Sequence, residues 1–346
     1  MLSSGEAIAG RTRAGGLVLS VLSDALNASI LRALLRGPLP VSELAQHLGP
    51  ASRTTRFSRL RDLEQLGIIV RERRPGVPPV AYCSLSPAGW ALLPVVGQFA
   101  RWLETAPQGS SSPDEVAGGR TIKALAMAWE TNALRWLAER PCSLTELHAL
   151  SPNEVTYHRV RNARESLSTS GLIAPVPSED RAQPYALTEW ARCSAGCIAA
   201  AIRWERTFLE DATQLSPVEI EALLHLLLPL VRMDADVDLS VTAGEGHIAT
   251  HALRPEGGQP SRLSGSAGSW IEALVDGRGD ALQMQGGIHL TTSLARGLHE
   301  ACVGLVTSGT RNLNNPPDWT VRGFAARENR TASICSGFPE NKVQLS

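Results

Sequence analysis

Lysine is almost absent from this chain: Lys123 and Lys342 stand among 33 basic residues, so the other 31 are arginine. That skew, with abundant Ala, Gly and Leu, points to a GC-rich coding sequence. Aromatic residues make up only 5%, although a hydrophobic content of 43% is ample for packed cores. Long apolar runs are missing. His225–Val231 is far too short to span a bilayer. Leu17–Leu22, broken by Ser20 and flanked by Arg11 and Arg13, lacks a convincing cleavage site, so no secretory signal is read there. The six cysteines form no CxxC pair, and Cys193 and Cys197, four residues apart, read as ordinary reduced thiols rather than a metal or sensor pair. No Gly-rich phosphate loop and no nucleophile triad is present. The expectation is a cytoplasmic protein, not an enzyme, with no cofactor and no metal.

The net charge of −1 hides a strong internal asymmetry. Residues 1–106 carry 12 arginines against 7 acids, residues 120–212 balance at 11 and 11, and residues 213–308 hold 5 basic against 11 acidic residues. The basic third is the candidate anion-binder, and the acidic third is the least suited to touch DNA. Within the basic third, Ser52–Arg74 concentrates seven arginines in 23 residues.

Apolar spacing predicts a helix over 17–35, stopped by Gly37-Pro38, and a short helix over Glu43–Leu48 capped by Ser42. A third helix is expected from Ser52 to Leu66, with Gly67 in the left-handed C-terminal position. Strands over Ile68–Glu72 and Val80–Leu85 flank a Pro- and Gly-rich turn. Ser86-Pro87 then starts a helix that runs to Trp102. This is winged-helix order. The run RLRDLEQLGIIVRERR from Arg59, then Pro79-Val80-Ala81-Tyr82, then LSPAGWALLPVVGQFARW, resembles the signature of HxlR-type winged-helix regulators. That resemblance implies a DNA-binding transcriptional regulator whose dimer places two recognition helices in successive major grooves. The N-terminal cysteine of the thiol-sensing members is absent, so redox sensing is not implied.

Residues 121–208 echo 19–106 at an offset of 102 to 104. Ile30-Leu31-Arg32 matches Ala133-Leu134-Arg135, Ser42-Glu43-Leu44 matches Thr145-Glu146-Leu147, Tyr82 matches Tyr185, and Arg101-Trp102 matches Arg203-Trp204. A covalent tandem could mimic the dimer as a monomeric pseudo-dimer, with a homodimer as the other option. The copies differ, because Glu179 and Asp180 stand in the second wing where the first has Arg71, Arg73 and Arg74. The second copy either reads a weaker half-site or serves as a packing domain.

Helical phase puts Phe57, Leu60, Leu63 and Leu66 on the buried side of the third helix. Thr54, Thr55, Ser58 and Arg61 face away, with Arg59 at the edge, and these are the groove-facing candidates. Arg56 falls nearer the core. Arg53, Arg71, Arg73 and Arg74 suit phosphate contact, and Tyr157, His158, Arg159 and Arg161, with Arg164, are the equivalents in the second copy. The expected macromolecular partner is double-stranded DNA. A solvated charged face with Asp62, Glu64 and Glu72 as counter-ions is the plainer reading.

The third segment opens with an apolar helix after Ser216-Pro217, then alternates strand-like over Asp234–Val241 and Gly246–Leu253. A helix carrying Trp270 and Leu274, a strand over Ala281–Gln285 and a last helix over Leu290–Leu305 follow. It resembles the sterol-carrier-protein-like domain that some HxlR-type regulators carry. This implies a lipophilic small-molecule effector lined by Leu239, Val241, Trp270, Leu274 and Met284, with a filled scaffold or assembly domain as the alternative. His247 and His251 on one strand are not read as a metal site. Gln283-Met284-Gln285 matches the Gln-x-Gln of tandem winged-helix DNA glycosylases but lies in the wrong segment. A DNA repair or DNA-shielding activity, and a sequestering protein that no longer binds DNA, are the competing functions.

The expected fold class is α+β: two tandem winged-helix domains followed by a small α/β sterol-carrier-protein-like domain. The expected boundaries are 17–106, a flexible linker at 107–120, 121–212, 213–308, and a polar, disordered tail at 309–346.

Overall fold

Asp24 interrupts what apolar spacing predicts as one helix. Its carboxylate accepts from the Leu26 backbone N–H at 2.9 Å, starting a new helix, and the two pieces α1 (Gly16–Leu22) and α2 (Ala25–Leu34) meet at 83°. The computed structural model describes residues 13–49, 51–75, 80–151, 155–178, 182–209, 216–231, 239–243, 246–249 and 261–303. The wing tip at 76–79, Glu179, Asp180, His251 and the tail lie outside the described residues.

The first unit continues with β1 (Leu39–Pro40), α3 (Val41–His47), α4 (Arg53–Gln65), β2 (Ile69–Arg74), β3 (Val80–Leu85) and α5 (Pro87–Glu104). Strand β3 is central, antiparallel to both neighbours, with Ile69 opposite Leu85 and Leu39 opposite Cys83. The helix over α5 starts where Ser86 accepts from the Gly89 N–H at 3.0 Å and Pro87 occupies the first turn, as a missing N–H costs nothing there.

The second unit repeats this order: α6 (Val116–Glu130), α7 (Ala133–Glu139), α8 (Leu144–Leu150), α9 (Tyr157–Thr169), β4 (Ile173–Pro175), β5 (Tyr185–Leu187), α10 (Glu189–Arg192) and α11 (Ser194–Phe208). A single bridge, Cys142 to Tyr185, stands for the β1–β3 pairing of the first unit. The paired strands have three residues each where β2 and β3 have six, so the second wing is shorter.

The two units are fused along α1, α5, α6 and α11. Trp102 Nε1 donates to the Trp190 carbonyl at 2.9 Å, and Trp204 Nε1 donates to the Ala88 carbonyl at 2.9 Å. An offset of 102 turns the first bond into the second. One contact made twice in reciprocal sense is the mark of a two-fold interface, built here inside one chain. Glu205 on α11 reaches across to the start of α1 and accepts from the backbone N–H groups of Gly15 at 2.6 Å and Val18 at 2.9 Å.

The segment expected as a flexible linker is drawn into this seam. Helix α6 already begins at Val116, and Arg32 pairs with Asp114. A Cβ on Gly118 would stand 2.0 Å from the Ser112 carbonyl oxygen, and one on Gly119 would stand 2.8 Å from that of Ser23. These glycines let backbones touch; they do not supply slack.

The third segment comprises α12 (Pro217–Leu227), β6 (Leu239–Ala243), β7 (Gly246–Ala249), β8 (Ser261–Gly265), α13 (Ala267–Leu274), β9 (Gln283–Gln285) and α14 (Ile288–Val303). Its sheet runs β7-β6-β8-β9, with β6 and β8 parallel and the other pairs antiparallel. Helix α12 lies on α7, where Glu221 pairs with Arg135, and Arg192 donates to the His225 and Ala138 carbonyls at 3.0 Å each. The buried apolar side chains of all three segments form one contiguous cluster. Trp270 and Leu274 belong to that core, Met284 packs at its edge, and Leu239 and Val241 lie on β6. No single helix among the described residues is long and apolar enough to cross a membrane.

Candidate nucleic-acid interface

Local sequence sets up α4. Ser52 Oγ accepts from the Thr55 N–H at 3.1 Å at the start, and Gly67, at φ 68°, closes the end with the Ile68 N–H bonded to the Leu63 carbonyl at 2.9 Å. Leu60 and Leu63 are buried. Thr54, Thr55, Ser58 and Arg61 are all exposed, as the helical phase predicts.

Phe57 departs from expectation: its ring is 42% exposed rather than in the core. At the start of α4 the inward side borders a groove against α3, lined by Val41, Ala45, Leu48 and Leu60. Arg56 takes that direction, donating to the Gly49 carbonyl at 2.8 Å, and Arg53 lies 5.5 Å over the Phe57 ring. The equivalent of Arg56 in the second unit is the fully buried Val160, which accounts for its inward phase.

The seven arginines of Ser52–Arg74 therefore divide. Arg59 is held by Asp24 at 2.7 Å and Asp62 at 3.4 Å. Arg71 is paired with Glu64, which raises its already high pKa. Together with Arg56, these are fastened to the protein. Arg53, Arg61 and Arg73 are exposed and have no acidic partner among the described residues. Arg74, also exposed, stacks 4.2 Å above the Tyr82 ring. Helix and wing thus present four guanidinium groups, with Thr54 and Ser58 beside them.

The second unit offers the same frame with different charges. Thr156 caps α9 as Ser52 caps α4, and Gly171 has φ 69°. Tyr157 and His158 are exposed, the former edge-on to His148 and the latter 3.1 Å from Asn162. Arg159 pairs with Glu130 at 3.1 Å, Arg161 with Glu165 at 2.9 Å and Arg164 with Glu165 at 3.6 Å. At an offset of 104, Glu165 occupies the place of Arg61.

Other candidates fall away from this surface. Cys197 is fully buried and its thiol is pushed up by burial, which opposes the thiolate a metal needs. Among the described residues no cluster of three or more metal-ligating side chains exists. Gln283 and Gln285 are exposed on β9, in the third segment rather than on α4 or its wing.

Residues 21–110 match the family model described as HxlR-like helix-turn-helix. An "Uncharacterized HTH-type transcriptional regulator" from Halalkalibacterium halodurans is 30% identical over 88 residues, covering 25% of this chain and 78% of that protein. Another from Bacillus subtilis is 32% identical over 84 residues, covering 24% of this chain and 78% of its own. A crystal structure titled "Putitive Transcriptional Regulator of MarR Family", from Enterococcus faecalis, is 26% identical with a TM-score of 0.25, covering 31% of this chain and 92% of its own. All the matched length that can be placed falls on the unit that carries the unpaired arginines. The chain belongs to the HxlR-like helix-turn-helix family.

Proposed function

We propose that this protein is a DNA-binding transcriptional regulator that reads its operator as an asymmetric, one-chain pseudo-dimer of two winged helices. In the first unit α4 enters the major groove, with Thr54, Ser58 and Arg61 toward base edges. Thr55 and Arg53 lie at the helix start, where phosphate oxygens meet free backbone N–H groups, and Arg73 and Arg74 follow the backbone from the wing. Arg56, Arg59 and Arg71 act indirectly by fixing the pose of α4 and β2. In the second unit α9 presents a neutralised surface, and that unit supplies the packing half. The third segment braces the second unit through Arg135–Glu221. With Trp270 and Leu274 filling core, the geometry favours assembly over the lipophilic-effector reading of that segment.

The observation that carries this reading is the pair of equivalent positions Arg61 and Glu165: one exposed and free of acids, the other an acid already holding two arginines. The test is fluorescence anisotropy of the full chain on DNA from upstream of its own gene, over a salt series. Arg61→Ala is expected to weaken binding by about 1–3 kcal/mol if it reads a base edge, or to reduce the salt slope by about one if it meets a phosphate. Affinity and salt slope both unchanged in Arg61→Ala would remove α4 from the interface.

A further inference from the structure

Among the exposed residues of α4, Phe57 alone is apolar. It stands four residues after Arg53 and four before Arg61, and side chains at that spacing share one stripe of a helix. Both arginines are exposed and have no acidic partner among the described residues. The Arg53 guanidinium sits 5.5 Å from the centre of the Phe57 ring. On its other side the ring borders the groove against α3, beside Val41 and Leu60, without being buried in it. A single exposed apolar side chain is ordinary on a protein surface. Its place between two cations without counter-ions sets this one apart.

A DNA duplex offers such a stripe complementary partners of both kinds. Phosphates and guanine edges suit the arginines, whereas the only apolar group that a base pair shows in the major groove is the C5 methyl of thymine. A phenyl ring and a methyl group that meet there leave water together, and the arginines at either end draw the ring into the groove. The second unit lacks this stripe. The equivalents of Arg53, Phe57 and Arg61 are Tyr157, Arg161 and Glu165, and the last two pair with each other at 2.9 Å.

We infer, on the DNA-reading role of α4 proposed above, that Phe57 is a specificity-determining residue that packs on the methyl group of thymine. Arg53 and Arg61 supply attraction to the duplex. Phe57 supplies discrimination of thymine from cytosine, which carries only hydrogen at the same carbon.

The probe is DNA from upstream of the gene, prepared once with thymine and once with uracil throughout. The two fragments have the same sequence and charge, and differ only in the methyl groups. Anisotropy of the full chain is expected to show tighter binding to the thymine fragment by about fourfold for each methyl in contact, the worth of one buried methylene-sized group. Phe57→Ala should bring that ratio toward one, and Phe57→Leu, still apolar, should keep most of it. Phe57→Gln, polar and of similar reach, carries the same expectation as Phe57→Ala should that variant fold poorly. A thymine preference undiminished in Phe57→Ala means the same loss on both fragments, which would overturn the inference and leave Phe57 a support of the helix. Tight wild-type binding without thymine preference overturns the inference alone. Binding to neither fragment overturns the DNA-reading role and the inference with it.

Discussion

The two units of this chain share one frame and differ in charge. Both start the third helix at a hydroxyl cap, Ser52 or Thr156, both end it at a glycine of positive φ, and both close on a tryptophan whose indole N–H reaches the other unit. What differs is the outward face. Glu165 stands at the place of Arg61, Tyr157 at that of Arg53, and the paired strands have three residues instead of six. The tryptophans that cross the interface, Trp102 and Trp204, are kept in both units, while other seam positions and much of the outward face differ. Packing inside a seam punishes change through cavities and unpaired donors, whereas surface substitutions away from such features usually cost within about 0.5 kcal/mol.

The seam is therefore where the comparison breaks hardest. Glu205 is buried and caps α1 from the opposite unit, while its equivalent, Leu103, is apolar. Glu205→Ala leaves the N–H groups of Gly15 and Val18 unsatisfied, and unfolding in urea should show a loss of about 2–4 kcal/mol. Burial raises the Glu205 pKa, against the opposing pull of the backbone N–H groups. A carboxyl whose folded pKa exceeds its unfolded one binds its proton more tightly when folded. Its contribution to stability is thus largest below the unfolded value and declines as pH rises through the folded one. Glu205→Gln should flatten that decline and cost much less than Glu205→Ala. A loss under 0.5 kcal/mol in Glu205→Ala, on the scale of an ordinary surface change, would mean that the bridge between units is dispensable.

How much of this was legible in the sequence follows from how local each signal is. Caps, positive-φ glycines and a proline in a first turn act within four residues, so α4 and α5 were predicted almost to their ends and β3 to its exact span. Gly118 and Gly119 misled because the same residue serves slack linkers and close-packed backbones, and only the neighbouring carbonyls of Ser112 and Ser23 decide which. The division of the arginines was hidden too. Asp24, which holds Arg59, is 35 residues away in sequence. Glu205 gave no sign at all, since its partners lie 190 and 187 residues earlier.

The outward face sharpens the comparison at intermediate size. If the pseudo-two-fold presents α9 to the same duplex as α4, Glu165 repels phosphate and also occupies Arg161 and Arg164. Glu165→Arg should then tighten DNA binding by about tenfold at low salt and steepen the salt slope by about one to two, since it adds one cation and releases others. Anisotropy over a salt series measures both. Weaker or unaltered binding with an unchanged slope would show that α9 faces away from DNA, and that the second unit is purely a packing partner.

The smallest effect lies in the short helix that precedes α4 in the first unit and α9 in the second. Helix α8 opens with a capping box, in which Ser143 Oγ accepts from the Glu146 N–H at 3.3 Å and the Glu146 carboxylate accepts from the Ser143 N–H at 2.8 Å. Helix α3 opens at Pro40 with no side-chain cap, although Glu43 occupies the place of Glu146. Ser143→Ala should cost about 1 kcal/mol. The bonds from the Ser143 backbone, Arg140 and the Ser143 hydroxyl hold the Glu146 pKa down to about 2. A carboxyl depressed in this way adds stability that is fully present above its unfolded pKa and is lost as pH falls toward the folded value. Glu146 is nearly half exposed, so solvent screens the effect and the gain stays below about 1 kcal/mol. Thermal melts of the wild type and Glu146→Gln should converge as pH falls from about 5 to 2, since protonation removes the same charge as the substitution. Parallel curves over that range would place the stabilisation of α8 in the Ser143 hydroxyl alone.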